Sequence, residues 1–155
     1  MTVAKARRLS NAERHRSGVA TVAGRSEGTN HIPHIVLVVE DHPLIRMGAM
    51  QLIDEAGYEG VEAANAEEAI AIMEARPDIH LVFTDIEMPG SIDGLKLAHY
   101  IRDRWPPVLL IVVSGKKLID ETQLPVGARF FAKPYNDNAI VETMRDMFSV
   151  LDSAA

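Results

Sequence analysis

The sequence has no cysteine. That excludes disulfides and thiolate metal sites, and leaves the compartment open. No apolar run approaches the roughly eighteen residues that a membrane span needs, so a soluble protein is expected. No secretory apolar segment follows the basic N-terminus. Neither a repeat of roughly 20–50 residues nor a second domain is evident along the 155 residues. Positive charge is scarce where folding is expected. Residues 35–155 carry ten Lys/Arg against twenty Asp/Glu, whereas residues 1–34 carry six against two. A segment that acidic is a poor holder of phosphate backbone, which argues against direct DNA binding.

What is present is apolar content of 47 %, enough for a core. Residues 1–34 show no sustained period and are rich in Ser, Gly, Ala and Arg. They read as a disordered basic tail, with a basic arm for an acidic partner or membrane as the sharper alternative. From residue 35 the pattern becomes regular. Ile35 to Val39 is a continuous apolar run of the kind buried on both faces of a sheet. Ile45, Ala49, Leu52, Ile53 and Ala56 then mark one face of a helix that Gly57 stops. Tyr58–Ala63 reads as a second strand. Asn65 and Glu68 form a capping pair for a helix bearing Ala66, Ala69, Ile70 and Met73, closed by Pro77.

Leu81–Thr84 reads as a third strand, and Leu97, Ala98, Ile101 and Trp105 as the face of the next helix. Val108–Val113 is a fourth strand. Residues 115–124 leave room for one short helix ended by Pro125. Ala128–Ala132 is a fifth strand, and Ile140, Met144, Met147, Phe148 and Leu151 line a last helix. Five β-α units of this length predict an α/β fold, a doubly wound parallel sheet with helices on both faces.

Ligands of such sheets bind beyond the carboxyl ends of the strands. The residues there are Glu40 and Asp41, then Asp85, Ser114 and Lys133. Taken singly, each has a plainer explanation: a helix cap, a solvated acid, a turn serine, a surface lysine. Together they converge on one edge. Three carboxylates in one place repel, and their proton affinities rise unless a cation intervenes. A hard divalent ion such as Mg²⁺ is the natural partner. With a hydroxyl and a lysine added, the group suits phosphoryl oxygens, and a carboxylate can itself attack phosphorus.

The segments VVEDHP, FTDIEMPGSIDG, VVSG and RFFAKPY, in that order, resemble the receiver domain of response regulators in two-component signalling, of the single-domain, chemotaxis-regulator-like type. The likeness covers about residues 35–152. It implies a flavodoxin-like five-stranded sheet of order 2-1-3-4-5. It implies that Asp85 accepts a phosphoryl group from a histidine kinase or histidine phosphotransfer protein. Mg²⁺ would be held by Asp41 and Asp85 with the main-chain carbonyl of Glu87, and Glu40 would assist through water. Lys133 would pair with Asp85 or the phosphoryl group, Ser114 would move toward that group, and Phe130 would be the switch aromatic. The Lys133–Pro134 bond would be cis. The same likeness implies a cytoplasmic protein acting on a downstream protein target, with a homodimer left open, and no enzyme beyond autodephosphorylation.

Three departures from the family pattern stand out. Glu87, two residues after Asp85, can approach the attacking water. MPGSIDG is one residue longer than the usual form. Ser114 to Lys133 is about one helical turn shorter than is common, so the helix between them should be short or irregular. The chain ends soon after its last helix, which fits a stand-alone regulator working by protein contact. Alternatives are a receiver excised from a longer hybrid kinase and a pseudo-receiver binding module. A haloacid-dehalogenase-type phosphatase fits less well, because its nucleophile follows the first strand and its cap domain has no counterpart here.

Overall fold

Five consecutive apolar residues with no polar alternation can form a strand only if both faces are covered. Ile35–Val39 does so as β1, buried throughout. The computed structural model describes residues 32–116 and 119–154. The basic tail predicted over residues 1–34 lies almost wholly outside them. The remaining strands are β2 (Glu59–Ala63), β3 (Leu81–Asp85), β4 (Leu109–Ser114) and β5 (Arg129–Ala132). All pair in parallel, in the order β2-β1-β3-β4-β5. This is the predicted topology. The central strands β1 and β3 are buried along their length, and the edges β2 and β5 are not.

Successive strand residues point to opposite faces, and here the two faces lead to two separate cores. Leu37, Val39, Val82, Leu110 and Val112 face one cluster. Val36, Val38, Leu81, Phe83, Ile111 and Val113 face the other. The first core is covered by α2 (Ala66–Ala75) and α3 (Gly94–Arg104), through Ala69, Met73, Leu97 and Ile101. The second is covered by α1 (Pro43–Glu55) and α4 (Asp137–Ala154), through Ala49, Ile53, Ile140, Met144 and Phe148.

The helix ends follow local chemistry. Pro43 opens α1, where a missing N–H costs nothing. Gly57 ends it at φ 90°, a conformation that a β-carbon disfavours. The Asn65 side chain caps α2 by accepting from Glu68 N at 2.8 Å, and Asp93 caps α3 by accepting from Lys96 N at 2.9 Å. Ile45, predicted on the buried face of α1, is instead 44 % exposed, together with Leu44 and Met47. Only Ala49 and Ile53 of α1 are fully buried.

The largest departure lies between β4 and β5. Among the described residues no α-helix forms there, only a 3₁₀ turn at Glu121–Gln123. Asp120 explains this locally. Its side chain accepts from Thr122 N at 3.0 Å, and its own N–H donates to Gln123 Oε1 at 3.0 Å. Such side-chain bonds compete with helix propagation, and Pro125 closes the route onward. The segment is tied to α3 instead of carrying its own helix. His99 Nε2 meets Gln123 O at 2.6 Å. The Arg102 guanidinium donates to the carbonyls of Val126, Pro106 and Val108. The short spacing between Ser114 and Lys133 thus gives an irregular crossover.

Candidate functional site

The carboxyl ends of β1, β3, β4 and β5 meet at one rim. Asp85 closes β3, the middle strand, and is only 6 % exposed. Glu40 and Asp41 follow β1, Ser114 closes β4, and Lys133 follows β5. Lys133 N donates to Ser114 O at 2.9 Å, which extends the β4–β5 register and points the lysine toward the centre. The Lys133–Pro134 bond is cis. Gly94 secures the loop beyond Asp85. A β-carbon there would sit 1.7 Å from the Asp85 carbonyl oxygen, so only glycine allows α3 to start this close to the strand.

Lys133 Nζ lies 3.0 Å from Asp85 Oδ2 and 3.1 Å from Glu40 Oε1. The other oxygen of Asp85, Oδ1, is buried and has no hydrogen-bond partner. The exposed Asp41 completes the group: one carboxylate oxygen from each of Glu40, Asp41 and Asp85 lies within 4.8 Å of the others. Like charges at that separation repel by about 3 kcal/mol per pair at an effective dielectric near 20. One lysine against three acids leaves the rim short of positive charge. A small divalent cation with oxygen ligands would correct both the charge and the orphaned oxygen, so the donor set fits Mg²⁺.

The titrations reflect the crowding. Burial, with a smaller push from Asp41 and Asp85, raises the Glu40 carboxyl above its ordinary range, despite the His42 N–H and Lys133. Burial would lower the Lys133 ammonium, but its bonds to Asp85 and Glu40 win and raise it. Its charge is therefore secure.

Ser114 is 1 % exposed and engages Glu87. Its Oγ lies 2.7 Å and 2.9 Å from the two carboxylate oxygens. Gly115 N and Lys116 N also donate to Glu87 Oε1, at 3.1 Å and 3.0 Å. Burial pushes the Glu87 carboxyl up, but these donors outweigh it and hold the group below its usual range. The side chain expected to approach an attacking water is thus turned onto the β4 terminus. Phe130 sits in β5 opposite Val112, half-buried against the α2/α3 core. It borders a pocket of about 530 Å³ shared with Ile119, Leu124 and Pro125. Arg46 escaped the sequence argument. Its guanidinium donates to Glu40 O at 2.9 Å and to Glu62 Oε1 at 3.1 Å, tying the acidic turn to α1 and β2. An arginine on an exposed helix turn gives no sequence signal for such a role.

The structure therefore brings Glu40, Asp41, Asp85, Ser114 and Lys133 together, with Glu87 added through its side chain. Comparison with known proteins identifies the family. Residues 36–145 match the family model of the response regulator receiver domain. Sensor kinase CckA of Brucella abortus is 33 % identical over 121 residues, covering 76 % of this chain and 13 % of that protein. The transcriptional regulatory protein PdtaR of Mycobacterium tuberculosis is 32 % identical over 114 residues, covering 71 % of this chain and 54 % of that protein. The chain thus spans about half the length of one curated relative and far less of the other. Among solved structures, the receiver domain of the hybrid histidine kinase CckA aligns with a TM-score of 0.61 at 32 % identity, covering 73 % of this chain and 97 % of that one. The response regulator TrrA of Thermotoga maritima, in complex with Mg²⁺ and BeF, aligns with a TM-score of 0.64 at 29 % identity, covering 74 % and 98 %. The chain belongs to the response regulator receiver domain family of two-component signalling.

Proposed function

We propose that this receiver accepts a phosphoryl group on Asp85 from a phosphohistidine and signals through the resulting change at its rim. The observation that carries the proposal is the Asp85 carboxylate itself. One oxygen is neutralised by Lys133, and the other is buried, unpaired and turned among acids. An Asp85 oxygen attacks phosphorus, forming an O–P bond as the N–P bond breaks. The bonding pair stays on the imidazole nitrogen of the donor. The nucleophile is a carboxylate oxygen, not a hydroxyl or a thiol, so no general base is invoked. Mg²⁺, held by Asp41 and Asp85 with the Glu87 carbonyl and backed by Glu40, would supply charge neutralisation for the transferred group.

Lys133 holds the acceptor in place and meets the new charge, and Ser114 offers a hydroxyl to a phosphoryl oxygen. Phe130, beside the pocket flanking β5, is the residue placed to repack when Ser114 shifts. The likeness to the receiver of a hybrid histidine kinase favours a histidine kinase or phosphotransfer protein as donor. Leu44, Ile45 and Met47 support this, being exposed apolar side chains on the turn of α1 beside the acceptor. Ile45 also lines a cleft of about 490 Å³ that reaches Lys133 and Pro134. Output passes to a downstream protein by contact, and the chain is an acceptor and not a turnover catalyst.

The test is labelling by acetyl phosphate or a phosphorylated histidine donor in Mg²⁺, read by mass spectrometry. The wild-type chain should gain one phosphoryl group, and Asp85→Asn should gain none while keeping its fold. Equal labelling of the two would sink the assignment. Repeated hydrolysis of a small phosphoester would instead favour a phosphatase.

A further inference from the structure

The Glu87 carboxylate sits where an anion is wanted. Two successive backbone N–H groups, those of Gly115 and Lys116, converge on its Oε1, and the Ser114 hydroxyl spans both its oxygens. Consecutive N–H groups with an adjacent hydroxyl form a concave donor set of the kind that binds phosphate or carboxylate. This set lies at the end of β4, the strand paired directly with the Asp85 strand through Asp85 and Val113. It is therefore on the side from which a phosphoryl group on Asp85 would be reached. The occupant comes from the Asp85 loop, two residues along.

We propose that the Glu87 carboxylate is a built-in substitute for the phosphoryl group, occupying its donor cradle in the resting state and competing with it for Ser114, Gly115 and Lys116. This deepens the phospho-acceptor assignment and rests on it. A carboxylate and a phosphoryl group cannot share three donors. They also repel across a short gap, so arrival of one requires the other to leave. Two consequences follow. The resting protein already holds Ser114 and the following turn drawn toward an anion. Each phosphorylation must first displace Glu87, which lowers the apparent affinity of the rim for phosphoryl-like ligands by the fraction of time the cradle is filled. Neither consequence needs a change in Asp85, Lys133 or the acid cluster.

The test is titration of beryllofluoride in Mg²⁺ against the full chain, followed by the amide resonances of Gly115 and Lys116. Glu87→Ala empties the cradle. Glu87→Gln keeps the shape without the charge and guards against a purely structural loss. Half-saturation should fall about tenfold in Glu87→Ala, with Glu87→Gln between it and wild type. The Gly115 and Lys116 amides should already differ from wild type in the ligand-free variants. Half-saturation unchanged or raised in both variants overturns the proposal while leaving Asp85 as acceptor. If wild type and variants all fail to respond, and acetyl phosphate labels none of them, the acceptor assignment itself falls, and this proposal with it.

Discussion

Half-buried titratable residues in this protein differ in what secures them. At the rim, Lys133 is secured by two carboxylates. At the opposite end of the sheet, His80 is secured as a neutral acceptor. Its Nδ1 receives the Ile35 N–H at 3.0 Å, so its proton sits on Nε2. His34 stacks on Phe148 nearby and bonds Asp152 at 3.0 Å. Burial, with the neighbouring His34, pushes His80 below its ordinary value of 6.5, against the pull of Asp78 and Asp152. A base with a lowered folded pKa takes up protons more readily when unfolded. Stability associated with His80 is thus complete above the ordinary value and declines as pH falls through it toward the folded value. Urea midpoints measured near pH 7.5 and near pH 5 should therefore fall less in His80→Asn, whose amide oxygen can replace Nδ1, than in wild type. Equal falls in both would remove His80 from the pH response.

Elements follow the same logic of partners. The strands were legible because the interior ones lack any polar alternation. Asp85, Ser114 and Lys133 could be placed because parallel strands bring their ends to one rim. Edge β2 was less plain, since Glu59 and Glu62 point outward from it. The segment 115–124 was legible as short or irregular, but not as a 3₁₀ turn, because the bonds that settle it are made by Asp120, His99 and Arg102, and two of these residues lie on another element. The Glu87 contact was invisible for a similar reason. Its donors, Ser114, Gly115 and Lys116, lie 27 to 29 residues away in sequence, at the end of another strand. Arg102→Ala should release the crossover at a cost of about 1.5–3 kcal/mol, as for hydrogen bonds to a charged donor. Hydrogen exchange should quicken in β5 and the 3₁₀ turn before it does in β1 or β3. Uniform quickening across the sheet would mean that Arg102 supports the whole fold and not this segment.

At the level of the whole molecule, the sheet divides the protein into two cores that meet only through its backbone. Ile101 and Ile140 are both fully buried, one on each side. Ile101→Val and Ile140→Val should each cost about 0.5–1.5 kcal/mol. Because they share no side-chain contact, the double variant should lose the sum within about 0.5 kcal/mol. A larger deviation, measured by urea unfolding, would show that the sheet transmits packing strain from one side to the other. At the rim, Lys133 joins Asp85 and Glu40 across the ends of β1, β3 and β5. A change there can be felt on either side.

The crossover pinned by His99 and Arg102 bears on how faithfully such a protein keeps to its own circuit. Receivers of one family share an acceptor site, so insulation from one another must come from the surfaces that partners touch. Here the surface beside β5 is a contour of turns fixed by particular side chains, where the family's usual spacing leaves room for a regular helix. A partner shaped to the ridges of an α-helix would find only a 3₁₀ turn among the described residues there. A partner shaped to these turns gains little from a relative that lacks Asp120, His99 and Arg102. On the proposed reading, the shortened segment would serve as a mark of address, limiting cross-talk while the proposed acceptor Asp85 stays the same.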